Sequence, residues 1–340
     1  MAMSFQSAAS RLAGTVLLAF AGTTSAATSP QQAGVDAITR AMEAVVGIEV
    51  TAAEDARSAE TLGQDREGSG VVIGPDGLIL TIGYLIVEAD TIQITTHDNR
   101  VVPARPVGYD AATGFGLIRP VLPLRDVRPV ALGSARDIAV NSTLLAATGG
   151  EEGGMGLTRL VDARPFSGYW EYHIDNALFT SPPLRNHSGA PLFNQRGELV
   201  GIGSLFVGNA LGGDEQVPGN MFVPVDLLKP ILTEMQQTGS TRKSRRPWLG
   251  LTSTEQDGRI QIIRVNQDSP AEDAGLAAGD FVLAIDGEKV TTLEGFYKKL
   301  WARPEPESEV QLTVLHGADI LQVTVRAVDR MKTMRKPAGI

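Results

Sequence analysis

From Gly68 to Val225 the chain reads as one short strand after another. Runs of β-branched and aliphatic residues are separated by Gly, Pro, Asn and Asp, the residues that supply turn geometry. "GSGVVIGPDGLILTIGYLIV" (68–87) predicts a hairpin, with two apolar runs flanking Gly74-Pro75-Asp76-Gly77. Further strands are predicted at "TIQITTH", "VVPARPVGY", "FGLIRP", "STLLAAT", "LTRLVDARPFSGYW", "GAPLFNQRGELVGIGSLFV" and "NMFVPV". So many short strands at close spacing fit a sandwich or a pair of barrels. Aromatics at 5% and 37 glycines also favour tight turns over long helices.

The flanks read differently. Residues 1–26 carry Arg11, an apolar run from Leu12 to Gly22 and a small-residue end, Thr24-Ser25-Ala26. That is the pattern of a cleavable export signal, cut after Ala26. The apolar run is short of the roughly 20 residues that a spanning helix needs. The mature chain is therefore expected in a periplasm-like compartment, with no stable membrane span after cleavage; an uncleaved membrane anchor is the alternative. Residues 27–43 read as a helical segment that leads into the strand "VVGIEV". The polar stretch 51–67 reads as an exposed loop. "VDLLKPILTEMQQTG" (225–239) reads as a closing helix, with Asp226 as N-cap and Gly239 just past its end. "STRKSRRP", at the 240–246 junction, reads as an exposed, solvated linker. Residues 247–330 form a smaller unit of strands with one or two helices, and 331–340 a tail.

Several chemistries are excluded or disfavoured. There are no cysteines, so disulfides, thiolate metal sites and cysteine nucleophiles are out. The net charge of −9 argues against a nucleic-acid partner. His97, His173, His187 and His316 are scattered and form no HxxxH or HExxH pattern. Neither a metal nor a cofactor is expected. The stretch "LRNHSGAPLF" (184–193) offers Ser188 as a candidate nucleophile, which needs a base within hydrogen-bond reach.

The ordered motifs resemble the HtrA (Deg) family of trypsin-fold serine proteases. "GSGVVIGPDGLILT" is similar to that family's first hairpin, "HSGAPLFNQRGELVGIGS" to its nucleophile loop, and "MFVPVDLLKPIL" to its closing strand and helix. "RPWLGL…SPAEDAGLAAGDFVLAIDGEKV" resembles a bacterial C-terminal PDZ domain. The resemblance implies a mainly β fold: a trypsin-like double β-barrel (44–239) followed by an α+β PDZ domain (247–330). The active cleft would lie between the barrels. Trimers are also implied, as is capture of polypeptides or protein C-termini.

Carried over residue by residue, the catalytic set is degenerate. Tyr84 stands where the family has its histidine, and Gly114 where it has its aspartate. Ser188 keeps the nucleophile position, while Asn186, His187 and Ser188 take the oxyanion-hole segment, with Asn186 in place of a glycine. "TSPPLR" is one residue short of the family's loop. A phenol with a reference pKa of about 10 is a poor base at neutral pH. Losing the histidine of such a triad costs on the order of a millionfold in turnover. The sequence offers two substitute bases. His187 neighbours Ser188, but adjacent side chains diverge. His173 shares a strand face with Asp175. In the PDZ unit, Trp248, Leu249, Gly250 and Leu251 match the carboxylate-binding loop. Phe296 and Leu300, four residues apart on a helix, are candidates for the groove wall or the domain core. Arg245 and Arg246 are placed to assist a bound carboxylate. The leading expectation is an exported pseudoprotease acting as chaperone, adaptor or regulator. An active endopeptidase with an unconventional base and an inert subunit that modulates active paralogues are the alternatives.

Overall fold

The computed structural model describes residues 30–335. The segment read as an export signal lies outside the described residues. Helix α1 (Pro30–Glu43) feeds directly into β1 (Val45–Ala52), as the helix-then-strand pattern predicts. Six strands close the first barrel: β1, β2 (Asp65–Val72), β3 (Ile79–Ile82), β4 (Ala89–Thr95), β5 (Val101–Tyr109) and β6 (Phe115–Pro120), in the order β1-β2-β3-β6-β5-β4. The 68–87 pattern supplies the β2–β3 hairpin, with Val71 opposite Leu80 and Gly77 at φ 77° in its turn. Val46, Ile79, Leu80, Phe115 and Leu117 on the strands of this barrel are fully buried. Burying an apolar side chain of this size stabilises by roughly 1.5–3 kcal/mol.

The second barrel repeats the plan with β7 (Thr143–Ala147), β8 (Met155–Gly168), β9 (Tyr172–Ser181), β10 (Pro191–Phe193), β11 (Leu199–Val207) and β12 (Gly219–Pro224), in the order β10-β11-β12-β9-β8-β7. The third unit is a sheet of β14 (Leu251–Gln256), β15 (Arg259–Val265), β16 (Phe281–Ile285), β18 (Glu309–His316) and β19 (Asp319–Arg326), with β17 (Glu288–Lys289) beside β16. A two-stranded pair, β13 (Pro247–Trp248) and β20 (Val328–Asp329), ties its two ends together. Helix α4 (Pro270–Asp273) is capped by Ser269. Helix α5 (Leu293–Trp301) is capped by Thr292, whose side chain accepts from Gly295 N. No helix among the described residues is long and apolar enough to cross a membrane.

Three local readings are corrected. The polar 51–67 stretch is not simply an exposed loop. Pairing of β1 with β2 reaches Thr51 opposite Asp65, and a short helix α2 (Ala59–Leu62) sits between. Arg66 is buried because its guanidinium donates to the carbonyls of Gly63, Tyr84 and Val87 and to Ser58 Oγ. The 225–239 stretch is a 3-10 turn at Val225–Leu227 and then helix α3 (Leu232–Thr238), since Pro230 cannot donate a helical hydrogen bond. Asp226 therefore caps no helix of its own segment, and instead accepts from Ser134 Oγ and Ala135 N at 2.9 and 2.7 Å. Gly239 does close α3, at φ 77°.

The linker is the third correction. Thr241, Ser244 and Arg246 are buried rather than solvated. The hydroxyls of Thr241 and Ser244 donate to the buried Asp110 carboxylate, and Ser244 Oγ accepts from Ala111 N at 2.9 Å. Arg246 lays its guanidinium over the Trp301 ring, 3.7 Å from the centroid. It donates to the carbonyls of Ala111 and Glu171 at 3.1 and 2.9 Å. The short basic stretch is thus a wired joint between the first barrel, the second barrel and the third unit.

Candidate active site and carboxylate-binding loop

Tyr84 lies on the 3-10 turn Gly83–Leu85 after β3, and Ser188 on the loop that enters β10, so the two barrels bring them face to face. Tyr84 Oη is 2.8 Å from Ser188 Oγ and 2.8 Å from the Ser204 carbonyl oxygen. A phenol has one proton and a carbonyl only accepts. The set is satisfied when Tyr84 donates to Ser204 and Ser188 donates to Tyr84. In that arrangement the serine proton is held by a group that already carries its own. Burial pushes the Tyr84 phenol up to about 12, with the Ser188 hydrogen bond a smaller, opposing influence. At neutral pH it is a hydrogen-bonding phenol with no vacant basic site like that of imidazole.

Gly114, expected at the acid position, is crowded as well. Gly114 sits just before β6 at φ 83°, a conformation that L side chains rarely adopt. A Cβ there would lie 3.3 Å from the Tyr172 hydroxyl. That hydroxyl donates to the Thr113 carbonyl at 2.7 Å. Tyr172 occupies the side of Gly114 towards which a side chain would project.

The oxyanion segment departs from its expected form. Asn186 does not adopt positive φ; within this loop the left-handed residue is Gly189, at φ 71°. The Gly189 amide is spent on the Gly203 carbonyl at 2.9 Å. His187 turns into its own loop, its Nδ1–H donating to the Arg185 carbonyl at 3.0 Å, and burial lowers its pKa. His173 Nε2 does reach Asp175 Oδ1 at 3.2 Å, as their shared strand face predicts. That pair faces α5, where Lys298 Nζ contacts Asp175 and Glu294 at 2.9 and 2.7 Å. His173, Asp175 and Glu294 are close enough to share a cation, and the Lys298 ammonium already serves both carboxylates.

The loop expected to bind a carboxylate does hold one, from within the chain. Gly250 is at φ 86°, and a Cβ on it would lie 2.3 Å from Ser269 Cβ, so glycine alone fits. The turn aims three successive amides at one point. Leu249, Gly250 and Leu251 all donate to the Glu171 carboxylate, at 3.2, 2.8 and 2.9 Å. Glu171 belongs to the β8–β9 turn of the second barrel, is fully buried and has φ 57°. Desolvation raises its pKa above the usual carboxylate range, opposed by these amides and by Arg330. Two residues earlier, the Tyr169 carbonyl accepts from Ser253 N on β14 at 2.9 Å. Tyr297 on α5 donates its hydroxyl to the Gly168 carbonyl at 2.9 Å.

The other residues expected at the groove are redistributed. Phe296 and Leu300 are fully buried in the core of the third unit. The cleft is lined instead by Leu293 and Glu294 on one side, Ser253 and Thr254 on the other, and Tyr169 from the barrel. Trp248 is held in the β13–β20 pair. Arg246 bonds the Glu171 backbone rather than its carboxylate, and Arg245 pairs with Asp329 at 3.0 Å. Glu171, Tyr172, Ser204 and Tyr297 carry no local sequence signal; contacts across the fold give them their roles.

Two barrels with a serine loop between them, followed by a sheet with a carboxylate-binding turn, define a trypsin-fold protein joined to a PDZ domain. The trypsin-like peptidase domain family matches residues 68–202, and the PDZ domain family matches 247–327. The chain carries both domains of, and is similar along most of its length to, DegS/DegP-like serine endoproteases. It is 27% identical over 268 residues to serine endoprotease DegS of Haemophilus influenzae, covering 76% of each chain. It is 26% identical over 289 residues to a probable periplasmic DegP-like serine endoprotease of Halomonas elongata, covering 80% of this chain and 58% of that one. The chain thus spans little more than half of that DegP-like relative. Among solved structures, the HtrA-type protease AlgW with decapeptide matches with TM-score 0.54 at 19% identity, over 89% of this chain and 99% of that one. The serine endoprotease from Yersinia pestis matches with TM-score 0.52 at 22% identity, over 87% and 97%.

Proposed function

We propose that this protein is an exported pseudoprotease. Its trypsin-like core serves as a scaffold, and its PDZ domain takes polypeptides or partner C-termini. It would act as a chaperone, adaptor or regulator in envelope protein quality control. The observation that carries this reading is the Tyr84–Ser188 contact of 2.8 Å. A serine becomes a nucleophile when a neighbouring base removes its proton. Here the neighbour is a protonated phenol, and Tyr172 crowds the Gly114 position. The loss of such a base is worth on the order of a millionfold in turnover.

The name endoprotease belongs to the DegS and DegP-like relatives, whose activity is their own. The decapeptide in the AlgW structure supports a peptide-binding role for the shared fold. The word periplasmic in the DegP-like names supports export. A homotrimer follows from the family resemblance. The test is digestion of an unfolded substrate such as casein by the mature protein and by Ser188→Ala. The reading predicts equal, background-level cleavage by both. Cleavage by the wild type that vanishes in Ser188→Ala overturns it.

A further inference from the structure

The β8–β9 turn meets the PDZ domain in the manner of a ligand. A peptide C-terminus binds such a domain by placing its carboxylate on backbone amides and adding its backbone to a sheet edge. Glu171 supplies a carboxylate to Leu249, Gly250 and Leu251, and Tyr169 supplies a carbonyl to Ser253. Glu171 and Tyr169 are two residues apart, and so are Leu251 and Ser253, the step that keeps one edge of a strand in register. The chain directions are antiparallel, because the earlier turn residue meets the later residue of β14. Tyr297 reinforces the fit, donating to the Gly168 carbonyl and accepting from Glu171 N.

The carboxylate is also held in a way that permits exchange. Arg246 and Arg330 donate to the Glu171 carbonyl, not to its side-chain oxygens. The three backbone amides are what hold the carboxylate, and the same amides would serve an incoming one equally well. Leaving the loop would return a buried carboxylate to water, which offsets part of the lost hydrogen bonding.

We propose that the Tyr169–Glu171 turn is a built-in, displaceable ligand of this PDZ domain, so that docking of the domain on the second barrel and binding of a partner's free C-terminus exclude each other. The proposal rests on the C-terminus reading of the domain given above, and adds its regulation. A tethered competitor lowers the apparent affinity for a free peptide by the fraction of molecules that are open.

The experiment uses the mature full chain, as wild type, Glu171→Ala and Glu171→Gln, the last keeping the side chain's size if the alanine variant unfolds. Hydrogen exchange is measured on the 248–253 backbone. Fluorescence anisotropy follows binding of a pool of decapeptides with randomised last four positions, with free or amidated C-termini. The proposal expects protected amides in the wild type, faster exchange in the variants, and roughly tenfold or greater tightening for the free-carboxylate pool alone. Exchange that is unchanged in both variants overturns the built-in ligand, whatever the peptides do. Faster exchange with no tightening, while the wild type binds the free-carboxylate pool, overturns the competition. Faster exchange with no peptide bound by any of the proteins refutes the C-terminus reading itself, and the gating role falls with it.

Discussion

Tyr84 and Ser188 join hydroxyl to hydroxyl across the interbarrel cleft at 2.8 Å, and the same phenol reaches the Ser204 carbonyl. One side chain therefore links β3 of the first barrel to the nucleophile loop and to β11 of the second. The Tyr84 phenol acts there as a cross-barrel fastening. Replacing Tyr84 with Phe strips that fastening and leaves two polar groups short of a partner. The expected cost is about 1–3 kcal/mol. Thermal unfolding measures it, and a variant as stable as the wild type would contradict the fastening.

The same phenol should be visible at alkaline pH. Its pKa is raised from 10.0 to about 12 by burial, so the folded state holds this proton more tightly than the unfolded chain. The stabilisation is present in full below pH 10 and is lost as pH rises towards 12. Denaturant titrations across this window should show the wild type losing more stability than Tyr84→Phe. Parallel slopes for the two proteins would mean that Tyr84 titrates normally.

Restoring the family's triad by Tyr84→His with Gly114→Asp should not restore turnover. Gly114 is at φ 83°, and its missing Cβ points within 3.3 Å of the Tyr172 hydroxyl. An aspartate there carries backbone strain on the order of 1–3 kcal/mol and has no room to orient an imidazole. Casein cleavage by the double variant is expected at background, with a lowered unfolding midpoint. Robust turnover would show that the cleft adapts more readily than its packing implies.

Asp110 is the joint's anchor. Its carboxylate accepts from Thr113, Thr241 and Ser244 in a buried site. Asp110→Ala leaves those donors without an acceptor, and hydrogen bonds to a charged group contribute about 1.5–3 kcal/mol each. The variant should lose about 3 kcal/mol or more, and trypsin should cut the 240–246 segment at least roughly tenfold faster. An unchanged cutting rate would mean that the segment is free of the barrel already.

The barrels were legible because β patterning is local. The hairpin around Gly74-Pro75-Asp76-Gly77 and the apolar alternation after it are written in consecutive residues. The serine, tyrosine and glycine of the cleft were legible only through the order of motifs that the family shares. The linker's burial is not legible locally, because its partners are remote. "STRKSRRP" is polar, but Thr241 finds Asp110 from 131 positions away and Arg246 finds Glu171 from 75. Phe296 and Leu300 share a helix face, and spacing cannot tell a core face from a groove wall; the fold sends both inward and turns Tyr297 to the ligand-like turn. Glu171 was invisible for the same reason as the linker. A glutamate on a hairpin turn reads as solvated until another domain brings three amides to it.

The pseudoprotease proposal requires that Ser188 lack a base. Its most direct test is labelling of the mature protein with an active-site fluorophosphonate, read by intact mass, beside Ser188→Ala. The account predicts no phosphonyl adduct on either protein at concentrations and times that saturate an active serine protease. A stoichiometric adduct on the wild type, mapped to Ser188 and absent from Ser188→Ala, would contradict it.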